Sequence, residues 1–84
     1  MKVQAEISLY PLHQNELTKP IQKFVQVLED NNLNVKTGAM SSLIAGDSQT
    51  FFENLQKAFE KIAQEYEVVM TVKVSNACPE AEKG

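Results

Sequence analysis

Apolar and polar residues alternate along the start of the chain. The odd positions from Val3 to Leu9 are all apolar, whereas the even positions from Gln4 to Tyr10 are polar or mixed. A period of two residues is typical of a β-strand that turns one face to the core. Pro11 follows, and a proline lacks the backbone donor that a strand ladder needs. The pattern therefore predicts a first strand that ends near this proline.

Two later segments repeat their apolar residues with the spacing of a helix. In the first, residues 18–31, Thr18 is the candidate N-cap, and Ile21, Phe24, Val25 and Leu28 lie at positions i, i+3, i+4 and i+7. A second, longer helix is expected after Asp47, which is a candidate N-cap. Its predicted apolar stripe consists of Phe51, Phe52, Leu55, Phe59, Ile62, Ala63 and Tyr66.

Short apolar segments predict the remaining strands. Residues 34–37 and 42–45 are separated by a turn at 38–41, which indicates a hairpin. Residues 68–74 are rich in valine and favour a last strand, and the tail 76–84 is expected to be frayed. In that last strand the inward residues are expected to be Val68, Met70, Val72 and Val74.

The predicted order is β-α-β-β-α-β within one domain that spans residues 1–84. Short connections and right-handed crossovers favour a four-stranded antiparallel sheet with both helices on one face, the ferredoxin-like α+β fold. We expect the first and last strands to lie at the centre of this sheet. The face without helices would then carry Glu6, Ser8, Tyr10, Val69, Thr71 and Lys73.

Charge and composition narrow the possible partners and surroundings. The 84 residues carry a formal charge of −3 and no basic stripe, which argues against a nucleic-acid surface. A single cysteine, Cys78, cannot form a disulfide within the chain, so folding does not require oxidation. No apolar run approaches the length of a membrane span, and the chain start lacks the apolar region of a signal peptide. We expect a cytoplasmic protein that binds neither nucleic acid nor membrane.

Residues that could support catalysis are few. His13 is the only histidine, and no cysteine or second histidine accompanies it to form a metal or nucleophile set. The chain has no Cys-x-x-Cys pair for a metallochaperone and no arginine for phosphate chemistry. We therefore expect a protein that is not an enzyme and holds no metal or cofactor. Glu6 either forms a cross-strand ion pair with Lys73 or accepts hydrogen bonds from an amino-substituted ligand.

Three short segments resemble the small thiamine-binding protein family. They are Ser-Leu-Tyr-Pro-Leu at 8–12, Met-Ser-Ser at 40–42 and Gly-Asp at 46–47. The resemblance covers residues 3–75 and implies a ferredoxin-like homo-oligomer that binds thiamine or its hydroxymethylpyrimidine moiety, linked to thiamine salvage or transport. The family commonly has Pro-Met-Gly-Thr, Glu-Gly-Asp and an arginine at positions where this chain has Ala-Met-Ser-Ser, Ala-Gly-Asp and Glu67.

An aminopyrimidine is a flat ring with an amino donor and ring-nitrogen acceptors. Its site needs an apolar slot with a few hydroxyl, carboxylate or backbone groups. A thioether packs well against a flat ring, and carboxylates would not repel the cationic thiazolium of thiamine. Asp47 also has a sufficient structural role as a helix cap. The predicted ligand-binding residues are Glu6, Ser8, Tyr10, Thr37, Met40, Ser42 and Asp47.

Two other functions stay open on the sequence. One is a regulatory module that binds amino acids through ferredoxin-like dimers, and the other is a structural oligomer without ligand. We also expect a homodimer or homotetramer, because Tyr10 and Val69 would make the helix-free face more apolar than a solvated face needs to be.

Overall fold

The computed structural model describes residues 1–77, and their elements follow the predicted order β-α-β-β-α-β. The third strand runs further than predicted, through residues 46 and 47. Cys78 and most of the tail that was expected to be frayed lie outside the described residues. The elements are β1 (Lys2–Pro11), α1 (Thr18–Asp30), β2 (Asn34–Thr37), β3 (Ser42–Asp47), α2 (Ser48–Ala63) and β4 (Val68–Ser75).

The sheet is four-stranded and antiparallel, with strand order β2-β3-β1-β4, which confirms the ferredoxin-like α+β fold. The expectation that β1 and β4 form its centre is wrong, since β1 and β3 are central and β4 lies at an edge. β2 lies one strand away from β1, and β3 of the β2–β3 hairpin fills the position between them. β4 therefore pairs with the free side of β1. The β1–β4 pairing still puts Glu6 opposite Lys73 and Tyr10 opposite Val69.

The core lies between the sheet and the helices, and the predicted inward row of β1 contributes to it. Val3, Ala5 and Ile7 are buried, and Leu9 packs against the same cluster. The inward row of the edge strand β4 is only partly covered, with Val74 exposed. The other buried apolar residues are Phe24, Val25, Leu28, Leu33, Ile44, Phe51, Ala58 and Ile62.

Helix α1 matches its prediction except at its start. Leu17, rather than Thr18, occupies the N-cap position, and it makes no side-chain cap bond. Asn32 follows the helix with a φ of 67°, in the left-handed region that asparagine tolerates better than most residues. The chain can therefore turn back sharply and bury Leu33.

Helix α2 is rotated about its axis relative to the predicted stripe. Phe51 is buried, but the adjacent Phe52 is 52% exposed, and Phe59 and Tyr66 are only half-buried. Successive helical residues point in different directions, so Phe51 and Phe52 cannot both face the core. The buried residues of α2 are Phe51, Asn54, Ala58 and Ile62, and the predicted Leu55 packs against the core, whereas the expected core positions at Phe52 and Ala63 are wrong.

Within residues 1–77, no helix combines the length and apolar character needed to cross a membrane.

Candidate ligand-binding site

A pocket of about 260 Å³ opens where β1 extends past the end of β3. The last residues paired between these strands are Ile7 and Ser42, whereas β1 stays paired with β4 as far as Pro11. The turn between β2 and β3, residues 38–41, closes one side of the resulting gap, and the start of α1 closes another. The pocket is thus a direct result of unequal strand lengths.

The walls of the pocket are mostly apolar. Ile7 and Leu9 come from the inward row of β1, and Ile21 and Phe24 come from the apolar stripe of α1. Leu17, just before the helix, adds to the wall. Apolar surfaces with a few polar groups between them suit a flat ring.

Three of the predicted site residues that carry a hydroxyl group are among the residues lining this pocket, namely Ser42, Tyr10 and Thr37. Ser42 is only 7% exposed, and its hydroxyl makes no side-chain hydrogen bond to another of the residues 1–77. Tyr10 and Thr37 lie nearer the surface. A buried hydroxyl facing open space can both donate to and accept from a ligand.

The backbone of Leu9 adds a donor and an acceptor that the sequence did not indicate. Hydrogen-bonded pairs alternate along an antiparallel ladder. The Leu12 N–H donates to the Glu67 carbonyl at 2.7 Å, so Leu12 and Glu67 form a hydrogen-bonded pair, and two residues along so do Tyr10 and Val69. Leu9 belongs to a non-bonded pair of this ladder, so its N–H and C=O point away from β4. Both groups point to where β3 would continue, and no backbone hydrogen bond within residues 1–77 joins them to the turn 38–41.

Glu6 and Ser8 do not line the pocket but hold the turn that does. Ser41 Oγ donates to Glu6 Oε2 at 2.9 Å, and Ser8 Oγ donates to the Met40 carbonyl at 3.4 Å. Lys73 Nζ lies 3.8 Å from Glu6 Oε1, so the cross-strand ion pair is also present. Exposed ion pairs of this kind contribute about 0–1 kcal/mol, so the bonds to the turn matter more for the site.

The remaining predicted residues, Met40 and Asp47, lie far apart. Met40 is strongly exposed and lines the mouth of the pocket. Asp47 lies at the opposite end of β3 from Ser42, where it caps α2 by accepting from the Gln49 N–H at 3.1 Å. The structure therefore does not bring Asp47 to the pocket.

Asp47 also pairs with the start of the chain. The Met1 amino group donates to Asp47 Oδ1 at 3.0 Å. This hydrogen bond, the charge of the amino group and backbone bonds from Gln49 and Thr50 hold the pKa of Asp47 below its usual range. The carboxylate thus ties β1 to the start of α2.

No group of histidine, cysteine, aspartate and glutamate side chains within residues 1–77 is arranged to hold a metal ion. The pocket itself is lined by no carboxylate, imidazole, thiol or amine from the described part of the chain. Its chemistry is that of hydrogen bonding and apolar contact.

A model of the YKOF-related family matches residues 2–81. The chain belongs to this family. No curated protein matches it significantly.

Solved structures similar to this YKOF-related chain have the same fold. A hypothetical protein from Methanocaldococcus jannascii is 26% identical, with a TM-score of 0.83 over 98% of this chain and 93% of that one. A Streptococcus pneumoniae protein is 19% identical, with a TM-score of 0.85 over 100% of both chains. A Thermotoga maritima protein, provisionally named a thiamine biosynthesis/salvage protein, is 12% identical, with a TM-score of 0.82 over 94% and 87%. At their identities the last two bear on the fold alone.

Proposed function

We propose that the protein binds hydroxymethylpyrimidine, or thiamine through that moiety, without catalysing a reaction. The observation that carries this proposal is the pair of backbone groups on Leu9 at the edge of an apolar pocket. An aminopyrimidine has the complementary pair, since its amino group donates and its adjacent ring nitrogen accepts. Ser42 Oγ would meet a further polar atom of the ring or its hydroxymethyl group.

The size of the pocket supports a small ring. Its volume of about 260 Å³ is just below the range of about 300–1,000 Å³ that is usual for drug-sized ligands. The pyrimidine would fill the slot, and the cationic thiazolium of thiamine would extend past Met40 towards solvent. A net charge of −3 does not oppose a cation there.

The family and one structural neighbour support the same ligand class. The short segments that resemble thiamine-binding proteins include the strand that carries Leu9 and the turn that carries Met40. The provisional name of the Thermotoga maritima protein also points to thiamine salvage or biosynthesis. We propose a salvage or transport role on these grounds, with the ligand bound rather than held as a cofactor.

Calorimetric titration with hydroxymethylpyrimidine, thiamine and a pyrimidine that lacks the amino group tests the proposal. We expect the amino compounds to bind, and the analogue to lose about 1–3 kcal/mol because the Leu9 carbonyl is left without a donor. Ser42→Ala should weaken binding by a similar amount, about 1–3 kcal/mol. Ser75→Ala, on β4 outside the pocket, is the matched control.

Equal affinity for the analogue without the amino group would contradict the role of Leu9. No heat from either pyrimidine at millimolar concentration would contradict the proposed ligand. A panel of amino acids in the same titration tests the regulatory-module alternative directly.

We further propose that the chain forms a homodimer through its helix-free face. This face comprises the outward residues of the sheet, and Tyr10, Leu43 and Val69 are each about half exposed on it. Covering these side chains in a second copy would remove their apolar surface from water. Such a contact would lie directly behind the turn 38–41.

A further inference from the structure

The turn 38–41, which forms one wall of the pocket, has little contact with the core. Residues 38–40 are exposed and Ser41 is partly exposed. Neither Ala39 nor Met40 belongs to the apolar core cluster or packs against it. One backbone hydrogen bond closes the turn on itself, from the Gly38 N–H to the Ser41 carbonyl at 2.8 Å. Apolar packing therefore does not fix the position of this wall relative to β1.

A second hollow lies behind the turn, on the helix-free face. Its volume is about 310 Å³, and Glu6 and Leu43 contribute to its walls. Gly38 and Ser41 line both this hollow and the pocket. The turn is therefore a thin wall with open space on each side. It has room to move away from the pocket, and bonds to its neighbours must hold it in place.

Side chains of β1 supply those bonds. Within residues 1–77, no backbone hydrogen bond joins β1 to the turn, because the β1–β3 ladder ends at Ile7 and Ser42. The bond from Ser41 Oγ to Glu6 Oε2 is short, at 2.9 Å, and its acceptor is a carboxylate. The bond from Ser8 Oγ to the turn is long, at 3.4 Å, and its acceptor is a carbonyl. Hydrogen bonds to a charged group are about twice as strong as neutral ones, so Glu6 provides the main tie.

We propose that Glu6 is a positioning residue for the pocket. It holds the turn 38–41 against β1 through Ser41, and it thereby determines how long a bound ring stays in the pocket. Its effect on affinity rests on the proposed function, whereas its hold on the turn is present without ligand. Glu6 itself does not line the pocket, so it acts only through the wall.

Titration of single and double variants with hydroxymethylpyrimidine tests the effect on affinity. Glu6→Ala and Ser41→Ala should each weaken binding about five- to tenfold, with faster dissociation measured by NMR exchange. The double variant should bind no more weakly than either single variant, because both changes remove the same bond. Glu6→Gln should stay within about twofold of the wild type, since its amide oxygen still accepts from Ser41. Gln4→Ala is the matched control, because Gln4 lies on the same outward row of β1 and does not touch the turn.

Hydrogen exchange in the ligand-free protein tests the hold on the turn by itself. Ile7 is two residues from Leu9, so its backbone groups also point to β3, and it forms the last pair of that ladder with Ser42. The amides of this pair should exchange faster in Glu6→Ala and Ser41→Ala than in the wild type, because a free turn lets the ladder end open. Gln4→Ala should leave their exchange unchanged. Circular dichroism verifies that each variant is folded.

The positioning role is overturned if Glu6→Ala binds hydroxymethylpyrimidine as tightly as the wild type. It is also overturned if Glu6→Gln loses as much affinity as Glu6→Ala, or if the loss in the double variant is the sum of the two single losses. Absence of binding by the wild type would contradict the proposed function instead. Exchange at Ile7 and Ser42 then decides the hold on the turn: faster exchange in Glu6→Ala supports it, and unchanged exchange overturns it.

Discussion

Phe51 and Phe59 lie on the same helix but differ in burial. Phe51 is fully buried in the core, whereas Phe59 is half-buried and lies outside the core cluster. We expect Phe51→Ala to lower the free energy of unfolding by about 3–5 kcal/mol, the usual cost for a buried phenylalanine. Phe59→Ala should cost less than half as much. Urea denaturation measures both, and the reverse order of costs would show that α2 faces the sheet differently.

Asp47 links folding to pH. Its pKa is lowered in the folded chain, mainly by the hydrogen bond from the Met1 amino group. A lowered carboxyl pKa adds stability above the unfolded value of about 3.9, and this stability is lost as pH falls through the folded pKa. Asp47→Asn removes the charge but keeps a residue that caps well.

We therefore expect the wild-type chain to melt at a higher temperature than Asp47→Asn near pH 7, with the difference shrinking below about pH 4. Thermal melts from pH 2 to 7 measure this difference. A difference in melting temperature that stays constant down to pH 2 would show that the charge of Asp47 does not contribute to stability. Ser48→Ala, next to Asp47 and without a titrating group, is the matched control.

At the scale of elements, β3 packs closely against the segment that follows α1. A Cβ atom at Gly46 would lie 2.5 Å from Leu33 Cδ2, and Leu33 is buried. Gly46→Ala should therefore displace Leu33 and lower stability by about 1–3 kcal/mol, the usual cost of overpacking. Denaturation of this variant beside Leu33→Ala/Gly46→Ala measures the effect. Equal costs of Gly46→Ala with and without the Leu33 side chain would contradict the predicted clash.

Most elements could be located from the sequence because their periods are clear. The alternating row of β1 and the i, i+3, i+4, i+7 stripe of α1 correspond to the buried residues. The rotation of α2 was missed because Phe51 and Phe52 are both apolar and adjacent. The edge position of β4 was missed because its valine-rich pattern resembles that of a central strand, and strand order depends on pairing rather than on local pattern.

The site was predictable only in part for a similar reason. Ser42, Tyr10, Thr37 and Met40 are residue types that suit a ring, and they do line one pocket. The backbone of Leu9 became a candidate only once the Ile7–Ser42 pairing showed where β3 begins. The sequence signal for this gap was the difference in length between the predicted first strand, residues 3–11, and the predicted third strand, residues 42–45.

At the scale of the whole molecule, the proposed contact through the helix-free face predicts how a mutation changes assembly. Leu43 lies on the central strand β3 and is away from the β4 edge. We expect Leu43→Lys to shift the chain towards a smaller assembly in sedimentation equilibrium, because a lysine there would be desolvated in the face contact. Ala45→Ser, on the same face of β3, is a milder control. An unchanged assembly in Leu43→Lys would contradict the face contact.

The turn 38–41 belongs to two surfaces at once. It forms a wall of the pocket, and Glu6 and Ser8 hold it from the helix-free face. A second copy that packs on this face and a ligand that fills the pocket would therefore act on the same few bonds. By linkage, if association changes the ligand affinity by a certain factor, ligand binding changes the association constant by the same factor. The concentration of the proposed ligand would then set how many copies of the chain are joined, and the size of the assembly would report the supply of that ligand.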